Sequence, residues 1–480
     1  MRAVVVVAAA ALVAAGCSLG SAPAPTSSAH PARSPSARPP LALALAAGFD
    51  VSPGLSPAPP DAAVAVGPTA ILTADNAEVR LQDRAGNPIA KSTLRDLFGP
   101  AHLSPAELQT DPRAVYDTDS GRFLVVTTVY PAVNCVRSAC PTGTLLAVST
   151  SSAPADLSGQ SWRAWLLPGW APGAAPAGAY LDFPDFSVSR DAIVMTVNVV
   201  QMSPQPGTLP TTVRVRVIDK AAALNGTSAP GWADVDHPQD DSGTEILSLQ
   251  PAVMDGVSAA TPMFLAGVSP PEGGSCRVIV AALGGTLTAP ALTARSVGSR
   301  LGCASPPKAG QPGGAKALDT GGYGLSSRPF FRDGRLWFAR SVASGGPVAA
   351  IHWGELDVGR WPGAPALVQE SLLGAPQSWA FFPALTIGAG GAVVVVFARS
   401  SSAEPPSIYF SGRLPGDPPA SLRSPTLVKA GLAAQVLSGP NNRYGDFFDA
   451  TVDPADQTVW VLGEYTRSAT SDGMWLAHIT

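Results

Sequence analysis

The chain has 480 residues, of which 46% are hydrophobic and 14% charged, and its formal net charge is −4. With no basic cluster beyond the N-terminus, this charge balance argues against a nucleic-acid-binding surface. The 48 Gly and 49 Pro are spread between short apolar runs, which predicts a turn-rich β protein and not a disordered chain.

The N-terminal residues predict export and anchoring. Residues 1–16 place Arg2 before an apolar run that ends in "AAGC", and this resembles the bacterial lipobox, in which the cysteine (here Cys17) carries the lipid. The alternatives are an ordinary signal peptide or a membrane span, but the run is short for a bilayer. Residues 17–40 are rich in Ser, Ala and Pro and predict a tether. We therefore expect a protein that is lipid-anchored to the bacterial membrane or envelope and faces outside the cytoplasm.

The remainder, residues 41–480, repeats one pattern: a Pro or Asp, a short strand, a polar turn, a longer apolar strand and a third strand. Seven such units are recognisable, and they begin near residues 61, 111, 182, 250, 328, 382 and 441. Repeated units of three or four strands predict an all-β, seven-bladed β-propeller. The last unit ends after its third strand, so we expect "LALALAA" at 41–47 to supply its outer strand and close the ring. Two packed β-sandwich domains are the alternative.

Four cysteines remain besides Cys17. An even number in an exported chain predicts two disulfides, and the simplest of three pairings joins Cys135 to Cys140 and Cys276 to Cys303. A zinc site is the competing interpretation, but the spacing and the lack of a nearby His make a poor ligand set.

Several segments carry a resemblance to a known family. "PPDAAVAVGPTAILTADNAEVRLQDRAGN", "DFPDFSVSRDAIVMTVN" and "RYGDFFDATVDP" are similar, in this order, to exported bacterial propellers of the sialidase-like, or BNR, type. Most members of that family are uncharacterised. The resemblance implies a fold and a location more than it implies a reaction.

A sialidase-like glycoside hydrolase needs three arginines for the substrate carboxylate, a tyrosine activated by a glutamate, and an aspartate acid/base. The candidates are Arg113, Arg328 and Arg443, which stand near the first strands of their blades, together with Tyr444 and Glu464 in the last blade. The Asp-box repeats of sialidases are absent, so the sequence favours a protein that is not an enzyme. Arginines that are solvated or that cap strands are the simpler interpretation.

Four aspartates recur at or just before innermost strands: Asp61, Asp111, Asp182 and Asp446. In a propeller these positions converge on one entrance of the central channel. Converging carboxylates repel unless a cation or hydrogen-bond donors neutralise them, so a Ca²⁺ or Mg²⁺ ion at the channel entrance is one interpretation. The sequence favours the simpler one, in which each Asp caps its own turn by accepting backbone N–H groups.

The sequence therefore predicts a monomeric binding scaffold for a protein or a glycan, with glycoside hydrolysis as the alternative function. Trp162, Trp165 and Trp170 are candidates for a carbohydrate platform, although packing in the second blade explains the first two equally well.

Overall fold

A computed structural model describes residues 41–52, 59–103, 107–131, 135–202, 211–226, 228–258, 260–269, 276–299, 301–322, 324–437 and 442–480. The predicted signal peptide (1–16), Cys17 and the tether (17–40) lie outside the described residues.

The described residues form seven sheets that follow one another along the chain. After β1 (Leu45–Asp50), blade one contains β2 (Ala63–Val66), β3 (Ala70–Ala74), β4 (Glu78–Asp83) and β5 (Pro88–Thr93). Blade two contains β6 (Glu107–Asp117), β7 (Arg122–Pro131), β8 (Gly143–Ser149) and β9 (Trp162–Pro168). Blade three contains β10 (Ala179–Val188), β11 (Ala192–Gln201), β12 (Thr211–Asp219) and β13 (Trp232–Asp236). The predicted seven-bladed β-propeller is confirmed by these sheets and the four that follow.

In blade four, β14 (Leu249–Pro251) is followed by β15 (Val253–Asp255), which joins the next sheet, and then by β16 (Met263–Val268), β17 (Cys276–Thr286) and β18 (Ala289–Ser299). Blade five adds β19 (Phe330–Arg332), β20 (Arg335–Ala343), β21 (Ala349–Asp357) and β22 (Ala366–Leu373) to β15. Blade six contains β23 (Ser378–Ile387), β24 (Val393–Ser401), β25 (Ser407–Arg413) and β26 (Thr426–Lys429). Blade seven contains β27 (Asp449–Val452), β28 (Val459–Ser468) and β29 (Ser471–Ile479). The described helices are short: α1 (Leu94–Leu97), α2 (Lys220–Asn225) and three 3₁₀ turns at Gly99–Ala101, Pro312–Gly314 and Ala389–Gly391.

The hydrophobic core lies between neighbouring blades. Leu72 of β3 and Leu81 of β4 belong to the same buried cluster as Phe123 and Val125 of β7, so blades one and two share a core. Central strands are covered on both faces and therefore read as continuous apolar runs instead of alternating ones. Burying an aliphatic or aromatic side chain stabilises the fold by about 1.5–3 kcal/mol. Trp162 lies in this core with 1% of its surface exposed, so it cannot be part of a carbohydrate platform.

The N-terminal strand closes the ring, as the sequence predicts. β1 pairs antiparallel with β29, with Leu45 opposite Ile479 and Phe49 opposite Leu476, so blade seven gains its outer strand from the start of the propeller. The strand lies at 45–50 and not at the expected 41–47, because Leu43 has a φ of 57°, which breaks the extended backbone before Leu45.

Both predicted disulfides are present, Cys135–Cys140 and Cys276–Cys303. Disulfides of this kind persist in an oxidising compartment outside the cytoplasm. Among the described helices, none has the length and apolar character that a membrane span requires.

Candidate functional site

The innermost strands of three blades share an irregularity that shapes the centre of the ring. β6, β10 and β23 each contain a bulge around a residue that precedes proline, and these residues (Asp111, Phe183 and Phe382) have φ between 51° and 58°. Asp61, just before β2, has a φ of 57°. Such backbone conformations cost about 1–3 kcal/mol per non-glycine residue and persist only where the surrounding structure holds them. A bulge re-aims the side chains beside it, and the bulges of β6 and β10 carry Asp111 with Arg113 and Asp182 with Asp185, which belong to the two polar clusters described below.

The first group, called the entrance cluster, comprises Asp61, Asp111, Asp182 and Asp446. Carboxylate oxygens of Asp61, Asp111 and Asp446 all lie within 4.8 Å of one another. Asp182 lies beside this group, since the N–H of the next residue, Phe183, donates to Oδ2 of Asp111 at 3.2 Å and, besides burial, the charge of Asp182 raises the pKa of Asp111. The structure therefore brings together all four aspartates that the sequence singles out, although Asp111 and Asp182 lie within their strands and not at the strand entries.

The carboxylates of Asp61 and Asp111 each accept a backbone N–H from another blade. The backbone N–H of Asp446 in blade seven donates to Oδ1 of Asp61 in blade one at 2.9 Å. The N–H of Phe183 in blade three donates to Oδ2 of Asp111 in blade two at 3.2 Å. Asn76 connects blade one to blade two by donating to Oδ2 of Asp61 at 2.8 Å and accepting the N–H of Asp111 at 2.7 Å. The carboxylates consequently join the blades together as well as concentrating negative charge.

The charge of the entrance cluster is poorly compensated. Burial raises the pKa of Asp61, and burial together with the charges of Asp61 and Asp182 raises the pKa of Asp111 well above its ordinary range. Burial and the charge of Asp61 raise the pKa of Asp446 to about 7, although the Arg443 guanidinium, which forms an ion pair with Asp446, opposes the rise. Arg443 is the one arginine that pairs with these carboxylates among the described residues.

Glu464 adds a fifth carboxylate beside this cluster. Its side chain is fully buried, and neither Oε1 nor Oε2 has a hydrogen-bond partner in the described part of the chain. The carboxylate lies against Gly445, where any Cβ would overlap Oε1, and burial together with the charge of Asp472 raises its pKa well above the usual range. Gln435 donates to Oδ2 of Asp472 at 2.7 Å, while Oδ1 of Asp472 and Oε1 of Gln435 are unpartnered within the described residues. The sequence did not point to Asp472 or Gln435, because their partners are distant along the chain.

A second group, called the arginine network, comprises Arg113, Arg328, Asp185 and Asp449. Arg328 Nη2 lies 2.8 and 3.0 Å from the two oxygens of Asp449, and its Nη1 donates to the backbone oxygen of Ala114 at 3.0 Å. Asp185 lies between the arginines, 3.8 Å from Arg113 Nη2 and 3.9 Å from Arg328 Nε. Asp449 additionally accepts the N–H of Val64 at 2.9 Å. Two guanidinium groups and two carboxylates thus balance each other's charge.

The arginine network is enclosed by protein. Arg113 is 1% and Arg328 6% exposed, so neither is a solvated arginine. The Arg113 guanidinium lies 3.2 Å from the ring centroid of Phe447, and it donates to the backbone oxygens of Pro184 at 3.2 Å and Ser326 at 3.1 Å. Asp185 and Asp449 escaped the sequence analysis, although a signal exists: "DFPD" at 182–185 and "DFFD" at 446–449 carry a second aspartate at the same offset.

The remaining hydrolase candidates do not join this network. Arg443 pairs with Asp446, and the hydroxyl of Tyr444 donates to the backbone oxygen of Glu464 instead of its carboxylate. Tyr444 is fully buried, and burial raises its pKa well above its ordinary value. The predicted set of three arginines, tyrosine and glutamate is therefore divided between separate environments.

Comparisons with known proteins concern the fold. The chain matches no protein-family model and no curated protein. It is similar to the solved Trypanosoma rangeli sialidase with 10% identity and a TM-score of 0.39, covering 90% of this chain and 59% of that one. It is also similar to the parainfluenza virus 5 hemagglutinin-neuraminidase ectodomain with 10% identity and a TM-score of 0.42, covering 79% of this chain and 81% of that one. The chain thus spans less than two thirds of the sialidase.

Proposed function

We propose that this chain is a non-catalytic binding propeller whose entrance cluster holds a divalent cation, with Ca²⁺ the best fit. The observation that carries the proposal is the excess of buried carboxylates: oxygens of Asp61, Asp111 and Asp446 lie within 4.8 Å of one another, the charges of Asp182 and Glu464 act on the same group, and one arginine opposes them. Glu464, with both oxygens unpartnered, is an independent indication because buried polar atoms normally find a partner.

The chemistry of the donors favours Ca²⁺. All the available ligands are oxygens, which hard cations prefer, and Ca²⁺ accepts six to eight of them in irregular arrangements. Mg²⁺ demands near-ideal octahedral geometry and keeps several waters, so it is expected to bind more weakly here. A bound cation would replace the protons that the raised pKa values otherwise keep on these carboxyl groups.

The alternative, a sialidase-like glycoside hydrolase, is less consistent with the arginine network. A substrate carboxylate would have to displace Asp449 from Arg328, and Arg113 is covered by Phe447 and backbone carbonyls. The guanidinium donors of a buried and paired arginine are already engaged by groups of the protein, and removing one of those partners would leave a buried charge uncompensated. We therefore favour a structural role for Arg113 and Arg328.

The cellular setting of the proposal comes from the N-terminal sequence. We propose that Cys17 carries a lipid, that residues 17–40 serve as a tether, and that the propeller faces outside the cytoplasm of a bacterium as a monomer. The two disulfides are consistent with that compartment. In this setting the propeller would present its rigid ends to a protein or glycan partner, and its membrane contact would be the lipid.

Calorimetric titration of chelator-treated protein with CaCl₂ and MgCl₂ tests the cation proposal. Asp111→Asn keeps the size of the side chain and an acceptor for Phe183 but removes a charge, and Asp191→Asn is the matched control because the Asp191 side chain is 81% exposed. We expect saturable Ca²⁺ binding in the wild type and the control, and affinity weaker by at least about tenfold in Asp111→Asn. Absence of binding at about 10 mM Ca²⁺, or an unchanged Asp111→Asn variant, would refute the site.

A fluorogenic sialoside tests the non-catalytic part separately. We expect no turnover above the buffer rate with or without Ca²⁺. Turnover by the wild type that disappears in Tyr444→Phe would establish the hydrolase alternative instead.

A further inference from the structure

A long segment between blades four and five lies on the same side of the ring as the entrance cluster. It comprises residues 303–322, called the strap, which contain one 3₁₀ turn and no strand. The disulfide from Cys303 to Cys276 fixes one end of the strap to blade four. Connections longer than about 12–15 residues without strands or helices of their own are uncommon in compact domains and usually carry a function. The strap is therefore a candidate for a role of its own.

The strap crosses the face at which the innermost strands begin. Ser400, at the end of the second strand of blade six, donates its hydroxyl to the backbone oxygen of Gly310 at 2.9 Å. Leu318 forms a parallel bridge with Asn442, just before blade seven, and the N–H of Asp319 donates to the Asn442 backbone oxygen at 3.0 Å. Leu318 is fully buried in the core that blades six and seven share. The strap thus reaches from blade four to blade seven.

Three buried amide side chains, called the latch, hold the strap to the segment in front of blade seven: Gln311, Gln435 and Asn442. Nε2 of Gln311 donates to the backbone oxygens of Lys316 at 2.6 Å and Gln435 at 2.9 Å, and its Oε1 accepts the N–H of Gln435 at 2.8 Å. Nδ2 of Asn442 donates to the same two backbone oxygens, each at 2.9 Å. Because each neutral hydrogen bond adds little net stability, such a latch can both order the strap and open.

The parallel bridge also places the strap beside the arginine of the entrance cluster. Since Leu318 lies opposite Asn442, the next residues along the two segments, Asp319 and Arg443, are neighbours. Arg443 forms an ion pair with Asp446, and 42% of its side chain is exposed, which leaves the guanidinium free to move. The charge of Asp319 acts on both Arg443 and Asp446. Arg443 therefore has one carboxylate from the entrance cluster and one from the strap within its reach.

A cation in the entrance cluster would change the partner of Arg443. A divalent cation there would neutralise the carboxylates and repel the guanidinium, because like charges that share one site repel. We propose that the strap is a cation-locked clamp, in which a divalent cation in the entrance cluster shifts Arg443 from Asp446 to Asp319 and so fastens the strap beside the cluster. This inference rests on the proposed cation site. By linkage, closure of the strap must raise the cation affinity by the factor by which the cation favours closure.

Digestion of the full chain with endoproteinase Lys-C, in CaCl₂ or in chelator, measures the opening of the strap. Cleavage after Lys316 requires its carbonyl to leave the latch, whereas Lys91, on the exposed strand β5, is an internal control outside the strap. We expect Ca²⁺ to slow cleavage after Lys316 by at least about fivefold, the lower end of typical coupling between sites. Cleavage after Lys91 should not change, which separates closure of the strap from a general stabilisation of the fold.

Two variants test the charge and the latch separately. Asp319→Asn keeps the size of the side chain and removes its charge, so Ca²⁺ should no longer protect Lys316. Gln311→Ala opens the latch without changing any charge, so it can affect Ca²⁺ only through the strap, and calorimetry should show an affinity weaker by at least about fivefold. Asp191→Asn, at a side chain that is 81% exposed, and Gln160→Ala, at an exposed loop residue, are matched controls that should behave as the wild type does.

Each outcome decides between the clamp and the cation site. If the wild type binds Ca²⁺ but Lys316 is cleaved equally fast with and without it, the clamp is overturned and the proposed cation site stands. A Gln311→Ala variant that melts as a folded protein and binds Ca²⁺ as tightly as the wild type overturns the clamp as well. If that variant does not fold, the comparison of the wild type in CaCl₂ and in chelator still decides. A wild type that does not bind Ca²⁺ refutes the proposed function, and the clamp with it.

Discussion

The role of the buried arginines can be decided by replacing Arg328 with methionine. Methionine has a similar length and no charge, so the substitution removes two contacts with Asp449, at 2.8 and 3.0 Å, and the bond to the Ala114 carbonyl at 3.0 Å. The carboxylates of Asp185 and Asp449 would then face only the guanidinium of Arg113. Removing one member of a buried ion pair costs about 3–5 kcal/mol, because the partner charge is left uncompensated.

The assay is the urea dependence of unfolding followed by tryptophan fluorescence. We expect Arg328→Met to lower the free energy of unfolding by about 3–5 kcal/mol. Arg190→Met, at a side chain that is 72% exposed, should change it by less than about 0.5 kcal/mol. The double variant Arg328→Met/Asp449→Leu should recover part of the loss, since apolar residues can replace a buried pair at little cost.

The opposite result would contradict the structural assignment. If Arg328→Met is as stable as the wild type, the guanidinium contributes nothing to the fold and is held ready for a ligand, as a substrate clamp would be. A double variant that is less stable than Arg328→Met would show that Asp449 stabilises the protein independently of the arginine.

Three further predictions concern other parts of the ring. Arg340 donates to Nδ1 of the buried His352, and burial lowers the pKa of His352. The folded state should therefore lose stability as the pH falls below about 6.5. This loss should be smaller in His352→Gln, and an identical pH profile of the free energy of unfolding in the variant would contradict the prediction. Removing the 276–303 disulfide, which spans 27 residues, should lower the free energy of unfolding by about 3–4 kcal/mol, and removing the 135–140 disulfide should lower it by about 2 kcal/mol, because the longer loop restricts the unfolded chain more. Calorimetry that gives the reverse order would refute this loop-entropy argument. Deleting residues 41–52 removes β1 and exposes the edge of β29, so we expect a lower melting temperature and aggregation. A deletion variant that stays monomeric with an unchanged melting temperature would refute ring closure as a source of stability.

The repeated pattern and the ring closure could be predicted from the sequence because they depend on local signals. Alternating turns and apolar runs set the number of units, and a last unit lacking its outer strand implies a strand from the N-terminus. The bounds of β1 could not be predicted, because the left-handed backbone at Leu43 and the burial of Leu41 depend on the neighbouring blades.

The polar clusters could be predicted from the sequence only in part. Equivalent positions on innermost strands face one channel, so the four recurring aspartates could be named together from their place in the repeat. The spacing of Arg113, Arg328 and Arg443 suggests one set of three, yet the structure pairs two of them with Asp185 and Asp449 and the third with Asp446.

The sequence by itself determined the class of fold and the number of blades, since both follow from composition and spacing along the chain, whereas the structure selected one of the three cysteine pairings that the sequence left open. Only the tertiary structure decided which charges neutralise one another, which carboxylates stay unpaired and which blades the strap crosses. Those outcomes depend on residues far apart along the chain, such as Val64 and Asp449, which are 385 positions apart, and packing brings them together where no local pattern indicates it.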